Sequence, residues 1–92
     1  MTITNKNDVL ILRTLYKNKK VSELQSMTIT ALTNSLENKF STMKVRTTIY
    51  EFVKQGIVHE GLKQGNSKTY FISNDGIKIL NDLVNGGKVN EL

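Results

Sequence analysis

Few side chains in this sequence have the types and spacing that catalysis needs. His59 is the one histidine and there is no cysteine, so a thiolate nucleophile, a disulfide framework and a Cys-ligated metal centre are excluded. The eight carboxylates are scattered singly, whereas acid–base catalysis needs two groups held together with their pKa values pushed apart. Gly61 and Gly65 are not followed by the Gly-Lys-Ser/Thr that a phosphate-binding loop requires. We therefore expect no catalytic residue, no metal site and no cofactor.

The chemistry that the sequence favours is the binding of an anion. Of a formal net charge of +5, residues 39–70 carry +4, because six cationic side chains there outnumber two carboxylates. The cationic residues are Lys39, Lys44, Arg46, Lys54, Lys63 and Lys68. A positive segment of this kind favours a polyanionic partner. The competing interpretation is that these side chains merely solvate the surface of a lysine-rich protein.

Length and hydropathy limit the kind of molecule that carries this charge. The 92 residues, 38% of them apolar, can bury one modest core, and we expect a single domain over residues 1–92. No apolar run approaches the roughly 18 residues that a membrane-spanning helix needs, and the N-terminus lacks the apolar core of a signal peptide. We expect a cytoplasmic location, no membrane contact and too little volume for a small-molecule pocket.

Three amphipathic segments predict three helices in the first part of the chain. Apolar residues recur at helical spacing over about 8–17, about 29–37 and about 42–55. The third segment is the clearest, because its apolar residues form one stripe and Gly56 follows directly as a C-terminal stop. In the connection between the first two helices, Val21 and Leu24 are expected to pack inward.

The periodicity then changes from helical to alternating. Two β-branched and aromatic runs within 57–72 flank the polar tip Gln64-Gly65-Asn66-Ser67, which predicts a β-hairpin. A further amphipathic segment predicts a fourth helix at about 74–85, and the tail at 88–92 is expected to be frayed. The order is therefore three helices, a two-stranded hairpin and a C-terminal helix, an α+β class that is mainly α.

The segment YEFVKQGIVHEGLKQGNSKTYFISNDGIKIL, which spans Tyr50–Leu80, resembles part of the bacterial MarR- and PadR-like regulators. The positions that carry the resemblance are Gly56, Ile57, Val58, Gly65, Tyr70, Phe71, Ser73 and Gly76, and Met27–Leu32 is similar to the entry into the family's second helix. The resemblance implies a winged helix-turn-helix that binds double-stranded DNA as a homodimer through helices 1 and 4. It identifies the third helix as the recognition helix and residues 57–72 as the wing.

Helix 3 and the wing supply the candidate DNA contacts. They are Thr42, Met43, Lys44, Arg46, Thr47, Tyr50 and Lys54 on the helix and Lys63, Asn66, Ser67 and Lys68 on the wing. The lysines suit phosphates, and Thr47 and Tyr50 suit base edges or phosphates. Arg46 lies at the border of the apolar stripe, where it either reads a guanine or packs and binds a phosphate. Met43 either touches a thymine methyl group or has no role.

Other features of this region bear on how DNA would be read. The turn between Leu36 and Val45 is about two residues longer than is usual in the families that the chain resembles. We therefore expect the wing, whose polar tip has a lysine on each side, to contribute at least as much as helix 3. The aromatic strand at 70–72 is expected in the core, and His59 is expected to be a partly buried strand residue rather than a ligand.

Two biological roles fit such a module, because both need only duplex recognition. The commoner role is that of a transcriptional regulator. The alternative comes from a fainter similarity, in size and composition, to small winged-helix accessory proteins of low-GC Gram-positive plasmids, which mark a partition site or an origin of transfer for conjugation. A third possibility is a protein-interaction module, whose third helix is expected to be apolar or acidic. The DNA site is expected to be two half-sites about one helical turn apart, or direct repeats bound by monomers.

Overall fold

The structure, a computed structural model, describes residues 6–37 and 39–85, and the tail expected to fray at 88–92 lies outside them. Four helices and a small three-stranded sheet confirm the expected α+β class. In chain order the elements are α1 (Lys6–Lys17), β1 (Met27–Thr28), α2 (Ile29–Ser35), α3 (Thr42–Lys54), β2 (Val58–Glu60), β3 (Thr69–Ile72) and α4 (Asn74–Asn85). None of the helices described is long and apolar enough to cross a bilayer.

The sheet corrects the expectation of a two-stranded hairpin. Its central strand, β3, is antiparallel to both neighbours: Thr69 pairs with Thr28 of β1, and Ile72 pairs with Val58 of β2. The two residues of β1 are too few to show the alternation that marks a strand in a sequence. Their backbone groups find partners only after the chain has folded back onto β3.

The connection between α1 and α2 lies against this sheet through its backbone. The carbonyl oxygen of Lys20 accepts a hydrogen bond from the amide of Ile72 at 2.9 Å, and that of Glu23 accepts one from the amide of Leu62 at 3.3 Å. The expectation that Val21 and Leu24 pack inward is wrong, because these side chains are 37% and 82% exposed. Since the backbone of this segment makes the contacts with the sheet, its apolar side chains are left at the surface.

The core lies between the helices and one face of the sheet. It is formed by apolar side chains that are at most 3% exposed: Val9, Ile11, Leu12, Leu15, Leu32, Leu36, Val45, Ile49, Phe52, Ile57, Val58, Tyr70, Ile72 and Leu80. The stripe expected on α3 is confirmed, although Val53 at its edge is only partly buried. Tyr70 and Ile72 are in the core as expected, whereas Phe71 between them is partly exposed. Burial of this stripe fixes which face of α3 is free to contact a partner.

Side-chain caps and left-handed residues set the ends of the two central helices. The Ser41 hydroxyl accepts a hydrogen bond from the amide of Lys44 at 3.0 Å, which caps the first turn of α3. At the other end Gly56 has a φ of +76°, as its role as a stop predicted. The second helix ends at Ser35, earlier than the expected 37, because Glu37 takes a φ of +57° that cannot continue a helix.

The junction between α3 and α4 is closed by a buried serine. The Ser73 hydroxyl accepts a hydrogen bond from the amide of Gly76 at 3.0 Å, which caps α4. The same oxygen lies 2.6 Å from the carbonyl of Gly56 and 2.9 Å from that of Ile57, to which it donates. These contacts bring Gly76 against Ile57, so that the start of α4 and the end of α3 are held as one unit.

Candidate nucleic-acid interface

All eleven residues predicted to contact DNA are exposed, and they lie on two elements. The helical set on α3 is Thr42, Met43, Lys44, Arg46, Thr47, Tyr50 and Lys54, and the set between β2 and β3 is Lys63, Asn66, Ser67 and Lys68. Arg46, which the sequence placed at the border of the buried stripe, is exposed. The structure therefore leaves every predicted contact accessible to a partner.

Four of these residues meet in one open groove between α3 and the wing. Arg46 and Tyr50 line it from the helix, and Ser67 and Lys68 line it from the wing. Tyr70 lies between the two sides, and the groove has a volume of about 200 Å³. We call this feature the α3–wing groove; its lining residues are Thr28, Ile29, Thr30, Arg46, Tyr50, Ser67, Lys68 and Tyr70.

Two threonines at the start of α2 also border the α3–wing groove, and the sequence did not predict them as site residues. Thr28 and Thr30 bring the first turn of α2 to its edge. The sequence signalled Thr28 as a helix cap, and its hydroxyl accepts a hydrogen bond from the amide of Ala31 at 3.1 Å. A cap preference identifies a helix end but does not show which other element lies beside it, so the contribution of this turn could not be found from the pattern.

The remaining helical residues lie outside the α3–wing groove. Lys44 and Thr47 are on the other flank of α3, beside Glu51, and the Lys44 ammonium is 3.9 Å from a carboxylate oxygen of Asp8. Lys54 is 3.4 Å from Glu51. The pair of Lys54 and Glu51 is solvent-exposed, whereas Asp8 is partly buried; both lysines are exposed and able to change partner.

The wing is a short hairpin with a polar tip. Gln64 and Ser67 exchange backbone hydrogen bonds of 2.9 and 3.0 Å, and Gly65 between them has a φ of +64°. This places Asn66 and Ser67 at the tip, and the Lys68 ammonium lies 3.6 Å from the Glu60 carboxylate across the hairpin. Because Glu60 and Lys68 are about half-exposed, this contact can exchange with an external anion.

A hydroxyl pair holds the root of the wing against the connection between α1 and α2. The Ser26 hydroxyl donates to that of Thr69 at 2.8 Å, and the Thr69 hydroxyl donates in turn to the carbonyl of Leu62. Gly61 packs directly against Ser26, with no room for a side chain. The orientation of the wing relative to α3 therefore depends on residues far from its tip.

The aromatic ring of Tyr70 lies beneath the α3–wing groove. It is 2% exposed, and its centroid is 6.5 Å from that of Tyr50, at an interplanar angle of 56°. Burial raises the pKa of Tyr70 to about 12, with further upward contributions from Tyr50 and Glu60 and a downward one from Arg46. The raised pKa keeps the Tyr70 phenol neutral to a higher pH than an ordinary tyrosine, and the charges of Glu60 and Arg46 both act on it.

The raised pKa of Tyr70 predicts a loss of stability at alkaline pH. Because the folded pKa exceeds the unfolded value of 10.0, this stability is fully present below pH 10 and is lost as the pH rises through about 12. We expect a decrease of about 2 kcal/mol in the free energy of unfolding over this window. Urea unfolding at both ends of it checks the value, with Tyr70→Phe lacking the decrease and exposed Tyr16→Phe retaining it. An equal decrease in wild type and Tyr70→Phe would contradict the assignment.

Comparison with known proteins identifies relatives of the whole chain. No protein-family model matches it. A curated relative, the DNA-binding protein TubR of a Clostridium botulinum C phage, is 41% identical over 80 residues, which are 87% of this chain and 96% of the relative. The solution structure of the DNA-binding TubR fragment from Clostridium botulinum is 40% identical, covers 89% of this chain and 99% of the fragment, and has a TM-score of 0.71. TubR from Bacillus megaterium pBM400 has a TM-score of 0.75 at 16% identity and 88% coverage of this chain, which shows the fold alone.

These relatives refine the family expected from the sequence. They fit a winged-helix-like fold, but they are TubR proteins rather than MarR- or PadR-like regulators. The glycines and strand residues that carried the earlier resemblance serve hairpin and helix-end geometry, which different winged-helix proteins share. Since the identity of 41% extends over nearly the whole curated relative, the chain belongs to the TubR family.

Proposed function

We propose that this protein is a winged helix-turn-helix that binds double-stranded DNA at a partition site of a plasmid or phage, without catalysis or a cofactor. The observation that carries the proposal is that Arg46 of α3 and Lys68 of the wing line one accessible groove, while the other cations of α3 and the wing are also exposed. Two relatives named as DNA-binding, one from a Clostridium botulinum C phage and one a fragment from Clostridium botulinum, support it. They favour the partition role over that of a transcriptional regulator or an origin-of-transfer protein. With duplex DNA as its partner, we propose a cytoplasmic location for the protein.

The two elements contribute different contacts in this proposal. The exposed face of α3 carries Met43, Thr47 and Tyr50, which are suited to base edges in the major groove. The lysines bind phosphates, and Asn66 and Ser67 at the wing tip lie along or in the minor groove. We propose that the wing contributes at least as much to affinity as α3 does. Comparison of the duplex affinities of Lys63→Ala and Lys54→Ala tests this.

We also propose a homodimer that uses α1 and α4. Leu12, Leu15 and Leu80 of these helices are packed in the core of the chain, whereas Ile77, Ile79 and Leu83 of α4 are only partly buried. The surface that remains between the helices is centred on Tyr16, which is 41% exposed, and is bordered by Arg13 and Lys17. Sedimentation with and without DNA tests the dimer, whose two chains would bind half-sites about one helical turn apart.

Removal of one lysine from each element is expected to lower the salt dependence of DNA binding. Lys54→Ala/Lys63→Ala changes one exposed cation on α3 and one on the wing, both outside the α3–wing groove. Counterion release changes the slope of log affinity against log salt by about 0.9 per phosphate, so the double variant should lose about 1.8. Fluorescence anisotropy with a labelled random-sequence duplex measures the slope.

The matched control is Lys6→Ala/Lys78→Ala, which removes the same charge from exposed positions of α1 and α4. Its slope is expected to match that of wild type, because these lysines lie outside the proposed surface. Equal losses in the two double variants would indicate a general effect of net charge and would contradict the proposed surface. If wild type does not bind DNA even at low salt, the protein-interaction module becomes the better interpretation.

A further inference from the structure

The α3–wing groove has a composition that suits a compact anion. Its two cations, Arg46 and Lys68, come from different elements, and Thr30, Tyr50 and Ser67 add hydroxyl groups around them. None of the described residues that line it carries a carboxylate. The opposite flank of α3 is different, because Asp8 and Glu51 lie there beside Lys44. The lining of the groove therefore carries two cations and no acid, although Glu60 pairs with Lys68 from outside the lining.

The size of the groove and the residue at its floor limit the kind of anion that the groove can hold. Its volume of about 200 Å³ is below the roughly 300–1,000 Å³ of typical small-molecule sites. The floor is the Tyr70 ring, whose phenol is uncharged at physiological pH, as that of an ordinary tyrosine is. A phosphate group therefore meets no negative charge on the floor of the groove, and guanidinium, ammonium and hydroxyl groups can donate to it from the sides.

We propose that the α3–wing groove holds one phosphodiester group of a DNA duplex, shared between Arg46 of the helix and Lys68 of the wing. This inference rests on the proposed duplex binding and deepens it. A shared phosphate ties the wing to α3 through the DNA, so that the depth of α3 in the major groove and the position of the wing are set together. Two cations bound to two separate phosphates would leave these positions independent.

Glu60 is the internal competitor for this phosphate. In the free protein its carboxylate lies 3.6 Å from the Lys68 ammonium, and both side chains are about half-exposed. Binding of the phosphate requires Lys68 to exchange this partner for the DNA backbone. Glu60→Gln removes the competitor and one negative charge near the DNA, so duplex affinity should rise about threefold, within the range of one exposed ion pair.

The decisive test is the additivity of Arg46→Ala and Lys68→Ala in the salt dependence of binding to a labelled random-sequence duplex. If both cations neutralise one phosphate, each single variant should retain most of the wild-type slope, because the other cation still holds the phosphate. The double variant should then lose about 0.9 in slope. Arg46→Lys, which keeps the charge, should keep the slope. Arg46 and Lys68 are both exposed, and thermal unfolding of each variant checks that the fold is retained.

The double variant Lys54→Ala/Lys63→Ala serves as the reference for additive effects. Its two lysines are expected to bind separate phosphates, so its salt-dependence slope should fall by about 1.8. A loss of about 1.8 in the Arg46→Ala/Lys68→Ala variant, with each single variant losing half, would overturn the shared phosphate while leaving DNA binding intact. An unchanged slope in that double variant, or an unchanged or weaker affinity in Glu60→Gln, would also count against it. Failure of wild type to bind any duplex would overturn both the proposed function and this inference.

A second arm distinguishes backbone phosphate from free phosphate. Amide resonances of Ser67 and Lys68 are followed by NMR during titration with the duplex and, separately, with inorganic phosphate, using sodium chloride of matched ionic strength as the control. The proposal expects the duplex to shift both resonances and inorganic phosphate at the same molar concentration to leave them at their control positions. Shifts with inorganic phosphate alone, unaffected by the duplex, would identify a free-phosphate site and overturn the proposal.

Discussion

Gly76→Ala is expected to destabilise the protein by about 3 kcal/mol, at the upper end of the range for an overpacked core. An added methyl group would collide with the carbonyl oxygen of Ile57 and would lie 2.8 Å from Cγ1 of Ile72. Ile57 and Ile72 are fully buried. The carbonyl cannot retreat, because it accepts hydrogen bonds from the Ser73 amide at 2.8 Å and from the Ser73 hydroxyl at 2.9 Å. Relief of the collision would therefore separate α4 from the end of α3.

The expected change in the free energy of unfolding is opposite in sign to that of the same substitution in an ordinary helix. In an unobstructed helix, glycine to alanine stabilises by about 1 kcal/mol, because alanine has the higher helix propensity. Urea unfolding followed by circular dichroism measures the change, with Lys78→Ala on the exposed face of the same helix as the control. A Gly76→Ala variant as stable as wild type, or more so, would show that α4 does not pack against Ile57 as described.

Gly61→Ala is expected to destabilise the protein by about 2 kcal/mol and to displace the wing. The new methyl group would collide with the Ser26 hydroxyl, 2.8 Å from Cβ of the same residue and 2.9 Å from the carbonyl oxygen of Glu23. The Ser26 hydroxyl is bound to Thr69, so the collision also disturbs the hydrogen bonds that hold the wing root. Because the proposed DNA surface includes the wing, duplex affinity should decrease in the same variant.

Unlike the collision at Gly76, this one can be relieved in part, because the two nearest atoms belong to the Ser26 side chain and only the Glu23 carbonyl belongs to the backbone. Ser26→Gly removes that atom, so Gly61→Ala/Ser26→Gly should be less destabilised than the sum of the two single variants by about 1 kcal/mol. Unfolding of wild type, both single variants and the double variant completes the cycle. Strict additivity would mean that the two residues are not in contact, and the description of the wing root would be wrong.

Both glycine substitutions are also expected to affect the proposed phosphate site in the α3–wing groove. The α3–wing groove exists only while Ser67 and Lys68 remain beside Arg46 and Tyr50. Gly61 packs against Ser26 at the wing root. Gly76 of α4 packs against Ile57, where α3 passes into β2, so the two glycines lie at opposite ends of β2. Changes at either glycine should therefore weaken coupling between the two cations even though neither glycine lines the groove.

Some features of this protein were determined by the sequence alone, because they depend on local periodicity and charge. The buried stripe of α3 follows from apolar residues that recur at the helical period, and it leaves every predicted contact on that helix exposed. The left-handed conformations of Gly56 and Gly65 follow from the lack of a Cβ atom. The basic character of residues 39–70 follows from composition, and it indicated a polyanionic partner without any knowledge of the fold.

Only the tertiary structure decided which parts of the chain meet. The strand β1 forms because β3 lies beside it, and a two-residue segment carries no pattern of its own. Leu24 is exposed because the backbone of its segment binds the sheet, a preference that hydropathy does not encode. A helical wheel gives the rotation of α3 about its axis but not the position of the wing around it. The grouping of Arg46 with Lys68, and with it the α3–wing groove, therefore arises from long-range packing, which local spacing cannot specify.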